Sequence, residues 1–150
     1  MDNLRTALNV GVLYRQSQAF VVYACRELGV TYTEYMILVL LSQGDGISQD
    51  DISTALVLDK AAVARAIRVL EDKGYIRREL DKNDRRIKRI FFTEGSGAKR
   101  ELVRNTLLRW VNYLADGVEG QDREVIMNGI NTISERARRA DFGLVERQEI

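Results

Sequence analysis

Arg65 and Arg68 stand three residues apart in a stretch of small side chains, Lys60-Ala61-Ala62-Val63-Ala64-Arg65-Ala66-Ile67-Arg68. A second cationic group, Lys82, Arg85 and Arg86, follows within one charged turn. Guanidinium groups on a surface of small residues suit a polyanion: they grip phosphates or bond bidentately to guanine edges, while the alanines let the backbone come close. The charge distribution points the same way. Lys60 to Arg100 holds 13 Lys and Arg against 6 Asp and Glu, a local net of +7, which leaves −6 for the rest of a chain whose total is +1. A cationic middle between acidic flanks is the footprint of a nucleic-acid binder.

Catalytic chemistry has little to work with. The chain has no histidine and one cysteine, Cys25. That removes Ser-His-Asp and Cys-His catalysis and leaves a poor zinc set. An enzyme is not expected, nor any cofactor or metal.

The elements that must position the arginines follow from spacing. Val63, Ala66, Ile67 and Leu70 share one face of a helix predicted over Lys60 to Lys73, and Ala61, Arg65 and Arg68 fall on the other. Asp59 supplies its N-cap and Gly74 its stop. A short helix precedes it, opened by Ser48-Gln49-Asp50-Asp51 and running to about Leu56. A strand from Tyr75 to Leu80, the charged turn Asp81 to Arg86 and a return strand from Ile87 to Phe92 follow. Further helices are predicted from residue 2 to about Leu28, from a cap at Thr31 or Thr33 to about Ser42, from Thr93 to about Asp116, and from Asp122 to about Ala140. The last ten residues are expected to fray or to depend on a partner for their order. The fold class is therefore mainly α with a small β-hairpin wing, a winged helix-turn-helix over residues 33–93. A hairpin carrying cations at its tip is suited to enter the minor groove beside a major-groove helix.

At 150 residues, 45% hydrophobic and 30% charged, the chain reads as one ordinary folded domain. No apolar run reaches the roughly 18 residues of a membrane span. No signal peptide is evident, and a lone cysteine fits a reducing cytoplasm.

Four phrases resemble the MarR-type regulators. Ser48-Gln49-Asp50-Asp51-Ile52 is similar to the family's S-Q-x-E-L-A, and Leu58-Asp59-Lys60-Ala61-Ala62-Val63-Ala64-Arg65 to its V-D-K-S-T-V-T-R. Leu70-Glu71-Asp72-Lys73-Gly74-Tyr75-Ile76-Arg77-Arg78 is similar to L-E-x-K-G-L-I-x-R, and Asp84-Arg85-Arg86 with Phe92-Thr93-Glu94 to the D-R-R and L-T-E phrases. The resemblance implies a homodimer joined through helices in residues 1–28 and 94–141. It also implies a pseudo-palindromic operator read by two recognition helices about one turn of duplex DNA apart. It places Lys60, Ala61, Ala62, Ala64 and Arg65 against DNA, Arg86 in the minor groove with Arg85 beside it, and Asp84 as the group that orients Arg86. Ser48, Gln49, Arg68, Arg78 and Lys82 complete the expected DNA-facing set. The family has hydroxyls at positions 61, 62 and 64, where this chain has alanine. Operator bases are therefore not transferable, and contacts to thymine methyls become available. Gly95-Ser96-Gly97 also departs from the family's Lys-Gly, which leaves the start of the fifth helix open.

MarR-type regulators are switched by small aromatic or phenolic molecules, by thiol oxidation or by metals. The absence of histidine disfavours metals, and Cys25, on the apolar spacing of the first helix, reads as a buried structural thiol. Tyr14, Tyr35 and Trp110 are the candidates to touch an aromatic effector, against the plain alternative that helical aromatics are core. The competing function is a winged-helix module that binds an acidic protein rather than DNA.

Overall fold

Thr31 and Glu34 fix the start of the second helix by reciprocal hydrogen bonds: the Thr31 hydroxyl accepts from the Glu34 N–H, and the Glu34 carboxylate accepts from the Thr31 N–H, both at 3.3 Å. Of the two candidate threonines, Thr31 is thus the cap. The structure is a computed structural model and describes residues 2–147. It divides into two compact units, Met1–Asn112 and Tyr113–Ile150.

In the first unit, α1 (Asn3–Ala24) begins at Asp2, whose carboxylate accepts from the Arg5 N–H. The predicted continuation to Leu28 is a separate 3₁₀ turn, Arg26–Leu28. Gly29, at φ 59°, ends it in the left-handed conformation that costs glycine nothing. α2 (Tyr32–Gln43) follows, then a strand that its sequence does not announce, β1 (Ile47–Ser48). Next come α3 (Gln49–Leu56), α4 (Lys60–Asp72), β2 (Ile76–Leu80) and β3 (Lys88–Phe92). The three strands form an antiparallel sheet in the order β1-β3-β2. Ile76 pairs with Phe92 and Leu80 with Lys88, while Ile47 pairs with Ile90.

The fifth helix does not start at Thr93. A 3₁₀ turn, Glu94–Ser96, intervenes, and α5 (Gly97–Leu114) starts at the second glycine. The Thr93 hydroxyl is used elsewhere, donating to the Gly74 carbonyl at 2.8 Å. That bond ties the end of the hairpin to the end of α4.

One core serves all these elements. Tyr35, Ile37, Leu38 and Leu41 of α2 are inaccessible to solvent, as are Ile52 of α3, Val63, Ile67 and Leu70 of α4, and Ile90 of β3. Val21 from α1 and Val103 from α5 close the cluster. Each fully buried side chain of this kind contributes about 1.5–3 kcal/mol of transfer free energy. α4, with its inward face wholly in this core, is thus held rigidly against the rest of the unit.

The second unit contains α6 (Gly120–Arg138) and α7 (Phe142–Glu146). α7 corrects the expectation of a frayed tail over its own length. Asp141 caps it by accepting from the Gly143 and Leu144 N–H groups at 2.9 and 3.2 Å. The rest of that expectation, at residues 148–150, lies outside the described residues.

Candidate nucleic-acid interface

α3 and α4 are built to present one helix to solvent. Ser48 caps α3 by accepting from the Asp51 N–H at 3.1 Å, and Asp59 caps α4 by accepting from the Ala62 N–H at 2.9 Å. The turn between them closes on a hydrogen bond from the Leu58 N–H to the Ser53 carbonyl at 3.0 Å. The Ser53 hydroxyl donates back to the Leu58 carbonyl. Val57 sits at φ 52°, ψ 49°, a conformation that β-branched residues rarely adopt. The face of α4 carrying Val63, Ala66, Ile67 and Leu70 is buried, as its spacing predicts. Ala61, Arg65 and Arg68 are exposed, and Ala62 and Ala64 are half-buried at the edges of that outer face.

The wing is fixed by carboxylates. Asp81 accepts from the Asn83 and Asp84 N–H groups at 2.8 and 3.0 Å and from Arg89 Nε. The Arg89 guanidinium, then those N–H groups, hold the Asp81 carboxyl down to about 2. Arg89 also donates to the Gly46 carbonyl at 2.8 Å, which links the hairpin to the turn before β1. Its charge is therefore a structural one.

Asp84 accepts from Arg86 three times: from its backbone N–H at 3.0 Å, from Nε at 3.0 Å and from Nη2 at 2.9 Å. The Arg86 side-chain bonds first, then its backbone N–H, lower the Asp84 carboxyl below the usual carboxylate range. The Arg86 side chain is 91% exposed all the same. It is a cation held in one orientation and open to an incoming partner. Lys82 and Arg85 are exposed beside it.

The other predicted residues differ in state. Ser48 is half-buried, with its hydroxyl donating to the Asp51 carboxylate at 2.7 Å, and Gln49 is half-buried next to it. Lys60 is exposed and paired with Asp50. Arg78 is engaged by Glu71 of α4, so its guanidinium braces the hairpin against the helix. Arg65, Arg68, Lys82 and Arg85 have no carboxylate within ion-pair distance among the described residues.

One anchor was missed from sequence. Asp45 accepts from the Phe92 N–H at 3.1 Å and pairs with Arg100 of α5 at 2.8 Å. A turn aspartate gives no sign of partners so far along the chain.

The three effector candidates are not brought together. Tyr35 is fully buried, its hydroxyl donating to the Val103 carbonyl at 2.8 Å, and burial pushes its ionisation well above the ordinary phenol range. It is a core residue. The indole N–H of Trp110 donates to Ser17 at 2.8 Å, and the ring stacks on Phe20 at 4.8 Å. Tyr14 lines a cavity of about 450 Å³ together with Gln18, Tyr32, Met36, Leu56 and Leu58. Its ring meets Tyr32 edge-on at 6.3 Å. Cys25 is 1% exposed, and burial raises its thiol pKa. No group of His, Cys, Asp and Glu among the described residues could hold a metal ion, and no helix among them is long and apolar enough to cross a membrane.

Known proteins share this arrangement. Residues 30–88 match the MarR family. The chain is 26% identical over 117 residues to the "Uncharacterized HTH-type transcriptional regulator YybA" of Bacillus subtilis, covering 78% of each protein. It is 34% identical over 98 residues to the HTH-type transcriptional regulator PapX of Escherichia coli, covering 61% of this chain and 60% of PapX. The crystal structure of a MarR transcriptional regulator from Methanosarcina mazei Go1 superposes with a TM-score of 0.80 at 28% identity, over 89% of this chain and 96% of that one. The matched segment takes in α2, β1, α3, α4, β2 and the wing turn as far as Lys88, and over it the chain is similar to MarR-family transcriptional regulators.

Proposed function

We propose that the protein is a homodimer that reads duplex DNA in a sequence-specific way and represses transcription from the site it covers. One observation carries this reading. The outer face of α4 presents Arg65 and Arg68 without carboxylate partners, and the wing presents Arg86 in an orientation set by Asp84. In this reading α4 lies in the major groove, with Ala61, Ala62, Ala64 and Arg65 toward the bases and Lys60, at the helix start, toward a backbone phosphate, and Arg85, Arg86 and Lys82 follow the adjacent backbone and minor groove. Ser48 and Gln49, at the start of α3, meet the flanking phosphates. Two copies reading half-sites about 34 Å apart make the operator pseudo-palindromic.

The dimer contact is assigned to apolar side chains that a second copy would cover. Leu4, Leu8 and Val12 of α1 are exposed, as are Val125, Ile126, Ile130 and Ile133 of α6. The cavity beside Tyr14 is assigned to a small aromatic or phenolic effector. Leu56 and Leu58 in its wall flank Val57, so an occupant that favours another setting of this turn shifts α4 and releases DNA. The site of action is the cytoplasm.

The test is selection of a preferred duplex from a random pool, followed by binding across a salt series. A specific reader yields a two-fold-related motif, and its affinity falls steeply as salt rises. Arg65→Ala and Arg86→Ala should each weaken that binding at least tenfold, on the order of a lost bidentate or minor-groove contact. Salt-dependent binding with no selected motif would instead favour a module for acidic partners.

A further inference from the structure

Asp50, in the first turn of α3, and Lys60, at the first position of α4, form an ion pair across the mouth of the helix-turn-helix, with Nζ 2.9 Å from Oδ1. Both side chains remain open to water, at 73% and 71% exposure. Neither holds the motif together. Ser48 caps α3, Asp59 caps α4, and Ser53 with Leu58 closes the turn. An exposed pair of this kind adds little to folding and is readily exchanged for another partner.

Its setting gives it a different consequence. Arg65, Arg68, Lys82 and Arg85 offer a phosphate an uncompensated positive charge. Lys60 stands on the same helix with its charge already matched. The contrast with the wing is chemical. Asp84 grips Arg86 through its backbone and two guanidinium nitrogens, which orients the fork and leaves it aimed outward. Asp50 meets Lys60 at one point, and an ammonium has no fork to orient. A phosphate that takes Lys60 must displace this carboxylate or lie beside it, and both cost electrostatic free energy.

We propose that Asp50 restrains DNA affinity by competing with a backbone phosphate for Lys60. The proposal rests on the DNA-reading function above and adds to it a residue that weakens the contact. The restraint acts on phosphate, so it lowers affinity for all duplexes alike and leaves base preference to the rest of α4.

The experiment measures binding of the full chain, as wild type, Asp50→Asn, Lys60→Ala and the double variant, to the selected duplex and to a scrambled one between 50 and 300 mM salt. Asp50→Asn should tighten binding by about threefold per protomer at low salt on both duplexes, the size of an exposed ion-pair effect. It should also steepen log K against log salt by about 0.9 for each phosphate gained. In the Lys60→Ala background the gain should vanish. An Asp50→Asn protein with unchanged affinity and slope overturns the proposal, as does an equal gain without Lys60. If Arg65→Ala still abolishes binding in that case, the DNA reading stands without the restraint. Failure of the wild type to bind any duplex at 50 mM salt would remove both.

Discussion

Single carboxylates decide most of the local geometry at the interface. Asp81 is the strongest case, since it gathers three donors at the base of the wing. Its pKa lies at about 2 in the folded protein, below the ordinary 3.8. A carboxyl with a depressed folded value contributes its stabilisation above the unfolded value and loses it as pH falls toward the folded one. The wing should therefore keep its order at pH 5 and loosen between about pH 4 and 2, read as faster amide exchange at residues 82–88. Asp81→Asn should bring that loosening to neutral pH and weaken DNA binding while the melting temperature moves by only a few degrees. Cys25 makes a second prediction at this scale. With the thiol buried and its pKa raised, a thiol reagent should modify it only as fast as the protein unfolds. Rapid labelling of the native protein would overturn its structural role.

At the scale of elements, the legible parts of the chain were those whose pattern repeats. α4 showed itself because Val63, Ala66, Ile67 and Leu70 recur at helical spacing, and each is buried as that spacing requires. The hairpin showed itself through β-rich runs on either side of a charged turn. β1 did not, because two residues carry no period; its strand character comes from pairing with Ile90 and Arg89. α7 was missed for the same reason of length, although Asp141 is an ordinary cap residue. The exposed cations proposed to face DNA were picked out by residue type, but the partners they make within the fold were not legible. Nothing in the spacing of Arg78 and Glu71 distinguishes a brace from a free cation, and the pairing of Lys60 with Asp50 appears only once the turn is folded. That turn yields a prediction of its own. Val57→Asn should raise stability by about 0.5–1 kcal/mol by relieving the left-handed strain, measured by denaturant unfolding. It should also change how strongly the proposed effector shifts DNA affinity, because the turn borders the Tyr14 cavity.

At the scale of the whole molecule, both units carry large apolar side chains open to water. Leu4 is 81% exposed and Phe142 is 83% exposed. Exposed apolar side chains in each unit fit the proposed dimer contact. If the proposed dimer forms through these side chains, Leu8→Glu with Ile130→Glu should turn it into a monomer by light scattering, and DNA affinity should fall by orders of magnitude with the loss of paired half-site reading. The circular dichroism of the DNA-reading lobe should persist, since its core is closed within residues 21–103.

Asp45 ties these scales together. Its two oxygens hold the Phe92 N–H and the Arg100 guanidinium, and the other end of that guanidinium reaches the Leu41 and Ser42 carbonyls at 3.4 Å. The last turn of α2, the end of the wing strand and the first turns of α5 are thereby bolted into a single bracket. The base of the wing is in this way fastened to α2 and α5. In the proposed dimer each protomer would then meet the duplex as a pre-set caliper jaw, and the quantity left to adjust would be the gap between two jaws.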